Sequence, residues 1–153
     1  MATYERLAAV LAVVLVVGVA GSGFFSGAAT VTSPLDFSVT DVQFPDPLMK
    51  NNPFRAKATI SNSGTISAGI VTYDLRVFDD NSPRGGRVEV FGSKQFESKV
   101  TSLPANSDTV WSLVPVDLTN GTYTFYLKID SEGQFDETDE TNNVYEMRLT
   151  IPS

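Results

Sequence analysis

The chain has 153 residues, of which 42% are hydrophobic, and its 18 acidic and 11 basic side chains give a net charge of −7. It contains neither cysteine nor histidine, which excludes disulfide bonds, thiol nucleophiles, imidazole bases and the commonest ligands of soft metals. The acidic balance argues against nucleic acid as a partner, because phosphate binding requires clustered Lys and Arg side chains.

The first 29 residues are predicted to form a hydrophobic α-helix. Glu5 and Arg6 are the only charged residues before residue 30, and a long apolar run follows them. The dense part of this run, residues 7–20, has the length of a signal-peptide core, whereas counting on to residue 29 gives 23 residues, enough to span a bilayer. Side chains that would face the membrane or pack in a helix bundle include Leu7, Leu11, Val14 and Leu15.

Three interpretations of this hydrophobic segment remain open. It is a membrane anchor, a cleaved signal, or the core helix of a filament. Each of them exports the residues that follow, and Arg6 on the near side of the helix favours an N-terminus inside the cell. The sequence therefore predicts that the rest of the chain lies on the extracellular face of the cell membrane.

The remainder of the chain is predicted to be a β-domain, residues 35–153, joined by a small polar linker, residues 30–34. From residue 35 onward apolar and polar side chains alternate, which is typical of half-buried strands. A phase shift between Val39 and Val42 predicts a β-bulge in the first strand. The predicted strands are residues 35–44, 54–61, 71–77, 88–91, 94–100, 108–114, 122–129 and 146–151.

Two positions in the later strands carry separate predictions. Trp111, the only tryptophan, is expected in the core; an exposed Trp111 would instead suggest a platform for stacking carbohydrate. The dipeptide Asn120-Gly121 predicts a tight β-hairpin. With Thr122 it also forms an N-glycosylation sequon at Asn120, although the turn accounts for these residues without any glycan.

An acidic loop, residues 130–143, separates the last two predicted strands. It holds six carboxylates and no basic residue. Removing these six from the net charge of −7 leaves −1, so nearly all the net charge is concentrated here. The six acids are Asp130, Glu132, Asp136, Glu137, Asp139 and Glu140.

Two interpretations of the acidic loop follow from its chemistry. Calcium takes six to eight oxygen ligands and would relieve the repulsion among these acids, although the spacing does not match an EF-hand. The candidate calcium ligands are Asp130, Glu132, Asp136, Asp139 and Glu140. In the alternative, the loop is structural: Asn142 and Asn143 hold the turn through hydrogen bonds to nearby backbone, and the acids face water.

Several short motifs occur in the order found in the CARDB family, named for cell-adhesion-related domains in bacteria. They are Asn62-Ser-Gly64 after a strand, residues 102–107, residues 118–123, and the acidic loop with its ending Glu140-Thr-Asn142-Asn143. Together these motifs cover residues 35–151. This part of the sequence therefore resembles a CARDB domain. The resemblance implies a seven-stranded immunoglobulin-like β-sandwich that serves as a surface module without catalytic activity. The helix-plus-sandwich architecture is also similar to archaeal pilins, archaellins and archaellum stator proteins.

The expected function is a non-catalytic cell-surface binding or scaffolding module, anchored by one N-terminal helix. Its expected partners are a cell-envelope or surface-layer protein or glycan, and no cofactor is expected apart from calcium. The alternative is a subunit of an archaeal pilus-like filament, a homo-oligomer with the N-terminal helices bundled in its core. Neither is an enzyme, because no nucleophile, base and orienting group can be assembled from the sequence.

Overall fold

The computed structural model describes residues 33–83, 85–94 and 102–153. The helix predicted for residues 1–29, with Leu7, Leu11, Val14 and Leu15, lies outside these ranges, as does nearly all of the strand predicted at residues 94–100. The described residues are mostly β-structure. None of the three ranges contains a helix long and apolar enough to cross a membrane.

Seven antiparallel strands form two sheets within the described residues. The smaller sheet has the order β1-β2-β5, and the larger sheet has the order β4-β3-β6-β7. The strands are β1 (Phe37–Gln43), β2 (Lys57–Asn62), β3 (Tyr73–Asp79), β4 (Val88–Phe91), β5 (Ser107–Ser112), β6 (Gly121–Ile129) and β7 (Val144–Ile151). This arrangement confirms the predicted two-layer β-fold.

The core lies between the two sheets and is built from alternate residues of each strand. In β3 the buried side chains are Tyr73, Leu75 and Val77, each fully or almost fully enclosed. Side chains one residue apart point to opposite faces of a strand, so the intervening residues face solvent. The register of β1 against β2 shifts between Val39 and Asp41, which confirms the predicted bulge.

Trp111 is a core residue, as the sequence predicted. Its side chain is 6% exposed, and its ring centroid lies 6.2 Å from that of Tyr73 in the opposite sheet. Its neighbour in the ladder is Ala58, a small residue that leaves room for the indole. A buried Trp111 excludes the carbohydrate-stacking platform that an exposed ring would have suggested.

The hairpin predicted at Asn120-Gly121 is wrong. β5 and β6 belong to different sheets, so the connection between them crosses from one layer to the other. Gly121 begins β6 with a φ of 154°, and the Tyr123 hydroxyl donates to the Thr119 carbonyl at 3.2 Å, the geometry of a tyrosine corner. The Asn-Gly dipeptide marks a backbone that favours glycine, but it carries no information about which sheet the next strand joins.

Candidate functional site

The acidic loop joins β6 to β7 and lies beside the residues that lead into β1. These residues, 33–37, are called the incoming segment, because they connect the hydrophobic segment to the sandwich. Phe37 pairs with Asn62 at the end of β2, so the turn after β2 lies on the other side. The incoming segment is therefore held between the acidic loop and the β2 turn.

The acidic loop binds the incoming segment through its backbone and through Thr138. The Thr138 amide donates to the Leu35 carbonyl at 2.9 Å, and the Thr138 hydroxyl donates to the Ser33 carbonyl at 2.7 Å. In return, the Ser33 hydroxyl donates to the Asp136 carbonyl. These bonds fix the incoming segment before β1 begins.

The β2 turn binds the same segment from the other side. The Thr65 amide donates to the Pro34 carbonyl at 2.7 Å, and the Ser63 amide donates to the Asp36 carbonyl at 2.9 Å. Between them, Gly64 approaches so closely that an added Cβ would lie 2.1 Å from the Pro34 oxygen. The turn can therefore make this contact only with glycine at position 64.

Asn62 holds the β2 turn in the conformation that makes these contacts possible. Its side-chain oxygen accepts a hydrogen bond from the Gly64 amide at 3.0 Å. Its side-chain nitrogen donates to the carbonyls of Ile66, at 2.9 Å, and Leu103, at 3.0 Å. The motif Asn62-Ser-Gly64, which the sequence placed after a strand, thus shapes the surface against which the incoming segment lies.

Glu137 links the acidic loop directly to β1. Among the acids of the loop, only Asp130 is more buried. Its carboxylate accepts a hydrogen bond from the Phe37 amide at 2.6 Å and another from the Asn143 side chain at 2.7 Å. Burial raises the pKa of Glu137 to about 7; these hydrogen bonds oppose the rise, while the charges of Glu140 and Asp130 add to it. A group of this kind exchanges its proton near neutral pH.

The two asparagines were predicted to bond to nearby backbone, but both side chains donate hydrogen bonds to carboxylates instead. Asn142 donates to the Asp36 carboxylate at 3.0 Å, which adds a further bond to the incoming segment. Asn143 is 1% exposed, and its backbone carbonyl accepts a hydrogen bond from the Ile129 amide at 2.9 Å. Among the described residues, the side-chain oxygen of Asn143 has no hydrogen-bond partner.

An aromatic contact reinforces the polar ones. Phe135 in the acidic loop is half-buried, and its ring meets Phe37 edge to face with centroids 5.5 Å apart. Such pairs contribute about 0.5–1.5 kcal/mol beyond the area they bury. Neither Phe135 nor Glu137 was predicted as a site residue, although an aromatic residue within an otherwise polar loop is a signal that could have indicated an anchor.

Three of the five predicted calcium ligands are engaged by the loop's own backbone. Asp130 is 2% exposed, and its carboxylate accepts hydrogen bonds from the amides of Gln134 and Phe135 at 2.9 and 3.0 Å. Glu140 accepts from the Glu137 amide at 2.9 Å. Asp139 accepts from Thr141, and these bonds lower the pKa of Asp139.

The other two predicted ligands, Glu132 and Asp136, are exposed. In the part of the chain that the structure describes, no three acidic side chains come together in a way that could hold a metal ion. The structure thus places the five residues on one loop without gathering them into a site. Calcium binding by this loop stays a prediction.

The predicted glycosylation position lies far from the acidic loop. Asn120 is exposed and immediately precedes β6, whereas the acidic loop follows the other end of that strand. A nine-residue strand at about 3.3 Å per residue separates the two by about 30 Å. Any glycan on Asn120 would therefore leave the incoming segment free.

The sandwich and its loop contacts define an immunoglobulin-like module, and comparison with known proteins gives its family. The sequence model of the CARDB family matches residues 34–147, and the chain belongs to that family. The resemblance noted in the sequence is confirmed. No curated protein matches the chain.

Two solved structures of one archaeal protein resemble this fold. The crystal structure of the CARDB domain of PF1109 from Pyrococcus furiosus, in complex with di-metal ions, has a TM-score of 0.54 and 20% identity, covering 77% of this chain and 94% of that one. The solution NMR structure of the same domain has a TM-score of 0.54 and 18% identity, covering 79% and 96%. At this identity the likeness shows the fold. Membership of the CARDB family points to a non-catalytic domain.

Proposed function

We propose that this chain is a non-catalytic module of the cell surface, whose CARDB domain is carried outside the cell on its N-terminal segment and binds or scaffolds another envelope component. One observation carries the proposal: the incoming segment is hydrogen-bonded on both sides, by Thr138 and by Thr65. A domain attached to the cell through its N-terminal segment needs such a fixed point. Without it, a force on that segment would separate β1 from its sheet.

The polar groups of the acidic loop support a structural role over a catalytic one. Asp130, Glu137 and Glu140 accept hydrogen bonds from backbone amides, which occupies oxygens that catalysis would need free. A general acid or base must lie within reach of a bound substrate. In the described residues these acids face their own chain.

The exposed acids are the part of the loop that a partner would meet at the surface. Glu132, Asp136, Asp139 and Glu140 are exposed, while the loop's apolar and buried groups face the sandwich. The proposed partner is an envelope or surface-layer protein or glycan, with the membrane contacted through the N-terminal helix. Calcium at the exposed acids is proposed to bind only weakly, and the fold does not depend on it.

The fixed incoming segment also favours a second function. A subunit of an archaeal pilus-like filament, with N-terminal helices bundled in the core, must present its outer domain in one orientation. Hydrogen bonds from the loop and the β2 turn to residues 33–37 would serve that purpose equally well. The two functions differ in whether copies assemble through their N-terminal segments.

Cell fractionation separates the two functions and tests both. For the surface module we expect the full chain in the membrane fraction, its sandwich digested by protease added to intact cells, and a monodisperse protein in detergent. Fibres that are released by shearing and pelleted would instead support the filament. A chain that stays in the soluble cytoplasmic fraction and is protected from external protease would contradict both.

A further inference from the structure

β7 is an edge strand, and half of its backbone groups point away from the sheet. Among the described strands, its only neighbour in the sheet is β6. The carbonyl of Asn143 accepts from Ile129 in β6. Because hydrogen-bonding direction alternates along an antiparallel strand, odd-numbered residues turn their backbone toward β6. The even-numbered residues, Val144, Glu146, Arg148 and Thr150, therefore point their N–H and C=O groups outward.

The outer side of β7 is open along most of its length. Near its start the Asn142 carbonyl accepts from the Val39 amide at 3.4 Å. From Val144 onward, within the described residues, no backbone hydrogen bond reaches this side, and Val144 and Met147 are 42% and 39% exposed. An open groove lined by Phe44, Leu48 and Met147 follows the same edge. Unpaired edges of this length are templates for strand addition.

The sequence of β7 is self-complementary in one register. When two copies of this strand pair antiparallel around a two-fold axis at Met147, Glu146 lies opposite Arg148 of the second copy, and Arg148 opposite its Glu146. Shifting the axis to Glu146 or to Arg148 places like charges directly opposite each other, which destabilises a strand pair. A further shift, to an axis at Leu149, pairs five of the eight strand residues and sets Arg148 opposite Thr150, so it forms neither ion pair.

Backbone geometry is compatible with this register. Outward-pointing groups can exchange hydrogen bonds only with outward-pointing groups, so even-numbered residues must face even-numbered ones. An axis at Met147 pairs Val144 with Thr150 and Glu146 with Arg148, and thus satisfies this condition. Hydrogen bonding requires an axis that passes through a residue, and among the axes at Glu146, Met147 and Arg148 the charges select Met147.

We propose that β7 is a dimerisation edge at which two copies of this chain pair antiparallel about Met147, so that their four-stranded sheets become one continuous sheet. The contact is isologous, the commonest symmetry of soluble oligomers. Glu146 and Arg148 keep 52% and 71% of their side chains exposed despite ion pairs to Arg87, at 2.8 Å, and Asp80, at 3.5 Å. Both remain accessible to a second copy, and the inference does not depend on the surface role proposed above.

Disulfide trapping tests the register directly, because the chain has no cysteine of its own. Directly opposed residues that are not hydrogen-bonded have Cα atoms about 4.5 Å apart, within the range of a disulfide. The detergent-solubilised full chain carrying Met147→Cys should form a covalent dimer under mild oxidation. The control Val110→Cys, on the edge strand β5 and 62% exposed, should stay monomeric. Absence of the Met147→Cys dimer, or equal linkage of both variants, would overturn the proposal.

Charge reversal provides a second test that needs no cysteine. Glu146→Lys and Arg148→Glu each create like-charged pairs across the dimer. Each should raise the dissociation constant of the dimer on the order of tenfold, as measured by sedimentation. The double variant restores both pairs with the signs exchanged, so it should dimerise like the original chain. Thermal melts monitor the fold of each variant. Single reversals that leave the dimer intact, or a folded double variant that fails to restore it, would contradict this arrangement.

Discussion

The Glu137 carboxylate accepts a hydrogen bond of 2.6 Å from the backbone amide of Phe37. The two residues lie at opposite ends of the domain's sequence, and their contact fixes the first residue of β1 to the loop before β7. Because Glu137 is buried and Phe37 is the last residue of the incoming segment, this contact couples the protonation of an acid to the place where the chain enters the sandwich.

Stability should fall as the pH rises toward neutrality. The pKa of Glu137 is raised from 4.5 to about 7 in the folded protein, so the folded state binds more protons than the unfolded state between these values. The corresponding stability is fully present below about pH 4.5 and is lost as the pH rises through about 7. No histidine titrates in this window. Melting a residue 30–153 fragment at a series of pH values measures the effect.

Glu137→Gln is the matched control for that pH dependence. A neutral amide can still accept from Phe37, and it can donate to Asn143 if that side chain turns its unpartnered oxygen toward position 137. We expect the variant to fold and its melting midpoint to change little with pH across the same window. A variant that keeps the full pH dependence would show that another group is responsible.

Gly64→Ala should destabilise the domain by about 1–3 kcal/mol, as other forced contacts do. The added Cβ would lie 2.1 Å from the Pro34 oxygen and 2.6 Å from the Leu35 Cα, so the incoming segment must move. Gly69→Ala is the control, since nothing lies within 4 Å of its Cβ. Urea unfolding of both variants gives the difference. Equal stabilities would mean that the incoming segment is not held against the β2 turn.

Trp111→Ala should destabilise the sandwich by about 3–5 kcal/mol, the usual result for a buried large aromatic side chain. In the original chain, tryptophan fluorescence should be blue-shifted and unaffected by soluble oligosaccharides, because the ring packs near Tyr73. Denaturant unfolding and a fluorescence titration check the two statements. Sugar-dependent quenching, together with a stable alanine variant, would contradict the core assignment.

Calcium should raise the melting midpoint of the fragment only slightly, and a chelator should lower it only slightly. The backbone of the loop already occupies carboxylate oxygens of Asp130 and Glu140, which leaves few ligands. A cation present at a hundred times its dissociation constant would raise the free energy of unfolding by about 2.7 kcal/mol. A rise of that size, lost in Asp136→Asn and Asp139→Asn, would establish a calcium site and contradict the structural interpretation of the loop.

The strands were predictable because alternation is a local property of the sequence. Alternation alone predicts a half-buried strand at Val71, Tyr73, Leu75 and Val77. The bulge near Val39 was predicted from a break in the alternation of the first strand. The sheet that each strand joins is not local. Asn120-Gly121 therefore looked like a hairpin, although the chain crosses between layers there.

The candidate site was predictable as a loop but not as a set of contacts. Its charge distinguished residues 130–143 in the sequence, and five of its six acids were predicted as metal ligands. The sixth, Glu137, is buried and accepts hydrogen bonds from Phe37, which is distant in sequence, and from Asn143. The burial of Glu137 can be predicted only when the register of β1 and the path of the incoming segment are known.

The amide resonance of Phe37 in the residue 30–153 fragment tests most directly whether the acidic loop holds the incoming segment. If Glu137 accepts from this amide, the Phe37 proton should exchange slowly with solvent, and its chemical shift should titrate with a midpoint near the Glu137 pKa of about 7. In Glu137→Gln the titration should disappear. A Phe37 amide that exchanges rapidly, and whose shift stays constant across this pH range in the original sequence, would contradict the account.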